Sequence, residues 1–115
     1  MIRKLMTAAA FCGVAGAASA EGWTIADLGE TVNRDNCLIR AEQMMYRYIR
    51  NYGGGNVYVE SWTVYGYDLG PGDNDAVIMC PYVRGTLNAF VVVHGETSTE
   101  NRQFVSDTMQ RYWTD

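Results

Sequence analysis

Few side chains in this sequence are equipped for chemistry. It has one histidine, His94, and three cysteines, Cys12, Cys37 and Cys80. His94 stands beside Gly95 and two residues before Glu96, so an imidazole with a neighbouring carboxylate is available as a general base, with Glu60 as a further acid. What such a base needs is a nucleophile to activate. The chain has no Gly-x-Ser-x-Gly elbow, no Ser-x-x-Lys pair and no cysteine–histidine dyad. No catalytic residue is therefore assigned, and a small hydrolase or transferase would have to work through His94, Glu96 and Glu60.

Oxygen ligands for a hard cation such as calcium gather at Asp68, Asp73, Asn74 and Asp75. Their spacing does not alternate as in an EF-hand loop, and the same residue types build ordinary hairpin turns. One histidine and no clustered cysteines do not make the usual zinc spacings. Gly53-Gly54-Gly55 lacks the lysine of a phosphate loop and follows a helical pattern where such a loop would lead into one. The sequence thus assigns no metal and no cofactor.

Two other groups have binding chemistry. Arg40, Arg47 and Arg50 fall on the outward side of a helical stretch, where guanidinium forks grip carboxylates or phosphates. A solvated face offset by nearby acids is the simpler account of that stripe. Trp62, Tyr65 and Tyr67 are ring types that stack on sugars. Strand alternation sets Trp62 and Val64 against Tyr65 and Tyr67, so a shared platform requires a bulge near Gly66, and core packing explains most of the rings without one.

The compartment follows from the first twenty residues. Arg3 and Lys4 precede an apolar run from Leu5 to Ala17, and Ala18-Ser19-Ala20 supplies the small residues that a signal peptidase requires. The run falls short of the roughly 20 apolar residues of a membrane span. Residues 1–20 are thus expected to be a cleaved signal peptide and residues 21–115 a single exported domain, periplasmic or secreted, with no membrane insertion after cleavage. Loss of Arg3 and Lys4 from the nine basic residues leaves seven arginines against thirteen acids, a balance that opposes nucleic acid as a partner. Cys12 leaves with the signal, and the remaining pair, Cys37 and Cys80, is expected to form a disulfide.

The elements that must position these residues are legible as patterns. Cys37, Ala41, Met44, Met45, Tyr48, Ile49 and Tyr52 recur at helical offsets, with Asn33 or Asp35 as the cap and Gly53-Gly54-Gly55 as the stop. Three strand-like runs follow: Asn56 to Tyr67, Asp75 to Tyr82, and Leu87 to His94. Their short connections require antiparallel neighbours. Thr97-Ser98-Thr99-Glu100 reads as a capping box before a second helix, whose apolar face would be Phe104, Val105, Thr108, Met109 and Tyr112. Glu21 to Val32 fits neither pattern cleanly. The expected fold is a small α+β domain, α-β-β-β-α, with a three-stranded antiparallel meander and both helices on one face.

That architecture has a consequence. Ala76, Ile78 and Cys80 would face the helices, yet Val77 and Met79 on the other side are not polar either; Phe90 and Val92 repeat this on the third strand. Val77, Met79, Phe90 and Val92, together with Trp62, would then form an exposed apolar patch of the kind that marks an interaction surface, unless the N-terminal segment folds over it. The leading expectation is a non-catalytic binding module whose partner is another protein or a second copy of itself. An inhibitor or immunity-type protein for an exported enzyme is a more specific form of the same reading.

Overall fold

The structure, a computed structural model, describes residues 22–114, so the expected signal at residues 1–20 lies outside it. The chain runs β1 (Gly22–Glu30), α1 (Arg34–Tyr52), β2 (Val57–Val59), β3 (Thr63–Leu69), β4 (Asn74–Met79), β5 (Tyr82–Val83), β6 (Thr86–Gly95) and α2 (Thr99–Thr114). The described residues form an α+β fold, with one antiparallel sheet and two helices. Asn33 starts α1: its side chain accepts from the Asn36 amide at 2.8 Å, occupying one of the free N–H groups of the first turn. Gly53 ends it at φ 92°, a left-handed conformation that costs glycine little, while its amide donates to the Ile49 carbonyl. Ser98 performs the N-terminal task for α2 by accepting from the Asn101 amide at 3.0 Å.

The expected meander is present as β3, β4 and β6, joined by short connections. The sheet extends beyond it on both sides, in the order β1-β6-β4-β3-β2, with β5 forming a hairpin on β6. The run from Asn56 to Tyr67, expected as one strand, is instead the β2–β3 hairpin, turning at Glu60-Ser61-Trp62. The unassigned N-terminal segment is a nine-residue edge strand, paired with β6 from Gly22↔Gly95 to Glu30↔Asn88 and bulged between Asp27 and Gly29.

Both helices lie on one face. The side chains beneath them are Val64 and Leu69 from β3, Ala76 and Ile78 from β4, and Leu87, Ala89, Val91 and Val93 from β6, packed with Met44, Met45 and Tyr48 of α1 and Val105, Met109 and Trp113 of α2. Gly66 marks the closest approach: a Cβ there would sit 2.4 Å from Met45 Sδ, so the missing side chain lets α1 settle on β3. Cys37, on the inward face of α1, is bonded to Cys80 at the end of β4, a closure across 43 residues that pins the helix over the sheet.

The buried face of α2 is turned slightly from the sequence expectation. Val105, Thr108 and Met109 are buried as expected, and Trp113, Ser106 and Arg102 join them, whereas Phe104 is 37% exposed. Arg102 explains the shift. Its Nη1 donates to the carbonyls of Gly95 and Thr97, tying α2 to the end of β6, and that anchor turns Phe104 to the flank.

Candidate functional site

Three groups of surface residues are candidates: the uncovered sheet face, a depression at one end of that face, and a groove between the helices.

The uncovered face is built by register. Ile25, Val92, Val77, Tyr65 and Tyr58 are successive cross-strand partners, one from each of five strands, and form a row across the whole sheet. Above it run Trp23, His94 and Asp75; below it run Asp27, Phe90, Met79 and Thr63. Trp23 is 68% exposed, Ile25 67% and Tyr58 60%, while Val77, Phe90 and Val92 are half-buried among their neighbours. The N-terminal segment does not fold over this surface among the described residues; it widens it. Two tyrosines that share this face by strand alternation, Tyr65 and Tyr67, hold their rings parallel at 6.1 Å.

Polar contacts mark the border of the face. Asp27 accepts from the Gly29 amide at 2.8 Å and from Asn88 Nδ2 at 2.7 Å, and these two bonds, the Asn88 one foremost, hold its carboxyl below the usual range. At the opposite corner the Tyr67 phenol is pushed up, first by partial desolvation and then by Tyr65, Asp75 and Glu60 nearby.

The sequence-predicted site residues divide among these places. Val77, Met79, Phe90 and Val92 do share the open face. Trp62 does not: it lies in the β2–β3 turn beside the start of α1, edge-on to Tyr82 at 5.9 Å and under the Arg34 guanidinium at 4.6 Å. The reason is the extra hairpin, which takes Trp62 out of strand alternation. Trp62 and Tyr82 meet at 74°, so they do not form a flat ring platform for a sugar.

Asp68, Asp73 and Asp75 are brought together with His94, Gly95 and Glu96 around a shallow depression of about 240 Å³. Asp75 accepts from the Asp68 amide at 3.1 Å, which helps shape the turn, and His94 lies against Trp23 with ring centres 4.2 Å apart. Among the described residues no group of three His, Cys, Asp or Glu side chains is placed to hold a metal ion. Glu60 is elsewhere, 3.4 Å from the Tyr65 hydroxyl, so His94 and Glu96 share the depression without it. Among the described residues no serine, threonine or cysteine lines that depression.

The third candidate was legible only as a stripe. Arg40 and Arg50 are exposed and Arg47 is half-buried; with Gln43, Tyr112 and Trp113 they line a groove of about 310 Å³ between α1 and α2. The Arg40 guanidinium lies 4.4 Å from the Trp113 ring centre and donates to the Trp113 carbonyl, and Arg47 lies 3.8 Å from the Tyr112 ring centre. Asn51 Nδ2 donates to the Tyr112 hydroxyl at 2.8 Å and fixes that ring. Deeper between the helices and the sheet, burial pushes the Tyr48 phenol up, and its hydroxyl donates to the Gly70 carbonyl.

Compared with known proteins, the chain matches no family model, and no curated protein or solved structure matches it significantly. Among the described residues no helix is long and apolar enough to cross a membrane.

Proposed function

We propose that this is an exported, non-catalytic binding module whose contact surface is the uncovered sheet face, with a second copy of the chain as its occupant. The observation that carries the reading is the five-residue row Ile25–Val92–Val77–Tyr65–Tyr58, an apolar and aromatic band crossing every strand of the main sheet path with no helix over it among the described residues. Its layout is that of an interface: aromatic and apolar residues in the middle, Asp27, Asn88, Asp75 and His94 towards the border. A two-fold axis through that row would set the apolar band on itself, as in aligned sheet-on-sheet packing with about 10 Å between layers.

The area favours a modest association. Five strands about 4.8 Å apart and some 20 Å long present on the order of 500 Å² per copy, about 1,000 Å² in total, just under the roughly 1,200 Å² at which stable specific interfaces begin. A reversible dimer is the expected state. Export is supported by the disulfide, which persists in oxidising compartments, and by the N-terminal pattern of the sequence.

The test is light scattering on the oxidised protein over a concentration series, repeated with Val77→Asp. The expected outcome is a mass rising towards twice that of the chain, and a monomer for Val77→Asp with unchanged circular dichroism. A monomer at every concentration for the unaltered protein would sink self-association and turn the search towards a different exported protein, as an inhibitor or immunity role would require.

A further inference from the structure

The groove between the helices makes a second binding surface, separate from the sheet face and independent of the proposal above. We infer that it binds a short, extended, carboxylate-rich peptide segment of another protein, through Arg40, Arg47 and Arg50.

The chain is acidic overall, with thirteen carboxylates against nine cations and a net charge of −4, yet three arginines converge on one groove. Three guanidiniums along one groove make its local potential positive, which favours an anionic ligand there over a neutral one. Two of the guanidiniums are also oriented in advance. Arg40 lies over the Trp113 ring at 4.4 Å and Arg47 over the Tyr112 ring at 3.8 Å, and a guanidinium binds carboxylate through the N–H groups at its edge. These ring contacts restrict the side chains and lower the entropy lost when a ligand binds.

Shape selects the kind of anion. Arg40 and Arg50 are ten residues apart on α1, which at about 1.5 Å per residue places their backbones about 15 Å apart along the helix. A single phosphate or acetate cannot span that distance, whereas four or five residues of extended chain at about 3.3 Å each can. A volume of about 310 Å³ receives a few acidic side chains and not a folded domain. The negative net charge of the whole chain repels densely charged polymers such as nucleic acid at long range, while a short peptide presents few charges to that field. Gln43, the fourth polar group of the groove, adds an amide able to bond the peptide backbone.

The test uses the oxidised protein and a fluorescein-labelled octapeptide of alternating Glu and Ser, with a Gln-for-Glu counterpart, read by fluorescence anisotropy. The expected result is saturable binding of the Glu peptide, at least ten times tighter than the Gln peptide and weakening steeply as salt rises from about 0.05 to about 0.5 M. Arg50→Gln and Arg47→Gln are each expected to weaken it roughly tenfold, the loss of one charge-assisted pair. Arg84→Gln, at the distant β5–β6 turn, is expected to leave it unchanged. Circular dichroism checks that the variants fold, and Arg50→Gln, on an exposed side chain, remains informative if Arg47→Gln does not. Equal binding of both peptides, equal loss in Arg84→Gln, or tighter binding of a DNA oligonucleotide or of anionic lipid vesicles than of the Glu peptide would each overturn the proposal.

Discussion

The two faces of β4 and β6 are made of closely similar residues and have opposite fates. On one side Ala76, Ile78, Ala89, Val91 and Val93 are buried beneath the helices; on the other Val77, Phe90 and Val92 are half-buried and Met79 is 38% exposed. Hydrophobicity alone does not separate the two sets. Supply of covering elements does, because the described residues form two helices, both are packed on one face, and α1 is held there by the Cys37–Cys80 bond. An apolar strand residue is thus evidence of a core only when something is available to cover it.

This contrast can be broken most severely at the disulfide. In the chain-entropy treatment, a closure across 43 residues stabilises the fold by about 4 kcal/mol. Reduction, or the double change Cys37→Ser with Cys80→Ser, should therefore shift the denaturant midpoint far down, and the covered face should lose protection from hydrogen exchange first. A shift worth less than about 1 kcal/mol would mean that packing alone holds α1 on the sheet.

Neighbouring residues on β4 sharpen the comparison. Ile78→Ala removes buried methyl groups beneath the helices and is expected to cost about 2–5 kcal/mol, whereas Val77→Ala on the open face should cost less than about 1 kcal/mol in the dilute protein. Equal costs in urea unfolding would show that the open face is covered in solution. A cost for Val77→Ala that grows with protein concentration would tie it to self-association.

The smallest expected effect lies at the border of the open face. The carboxyl of Asp27 is held below its ordinary pKa in the folded protein by Asn88 and Gly29. A group depressed on folding contributes stability above its unfolded value, near 3.9, and that contribution is lost as pH falls through the lower folded value. Asp27→Ala should therefore leave a slightly smaller drop in melting temperature between about pH 5 and pH 2, without changing the neutral-to-alkaline limb. An acid limb identical to that of the unaltered protein would show that these two bonds are not maintained in solution.

Much of the covered half is legible in the residues themselves. The α1 period, its Asn33 cap and Gly53 stop, the inward series Ala76-Ile78-Cys80 and Ala89-Val91-Val93, and the cysteine pair all rest on local spacing or on export context. The strand β1 is not legible in the same way. Its segment carries Gly22, Asp27 and Gly29, and its pairing partner β6 lies some sixty residues further on, so no short-range pattern announces it. The β2–β3 hairpin escapes notice because its turn, Glu60-Ser61-Trp62, has none of the Gly, Pro or Asn that mark most tight turns. That one turn also removes Trp62 from the open face. Arg40 and Arg47 were recognisable as a stripe, but the rings they lie over belong to α2, more than sixty residues away, and Trp113 lay just outside the helical face read from periodicity.

By itself, the sequence determined the two helices, the three runs of the meander and most of their inward residues, because helical and strand periods act over a few residues and record which side chains seek burial. It also determined the pair able to form a disulfide. Only the tertiary structure decided which apolar face stays open, that β1 widens it, and that arginines on one helix meet aromatic rings on another. Those outcomes depend on long-range pairing and on which surfaces the helices leave unoccupied.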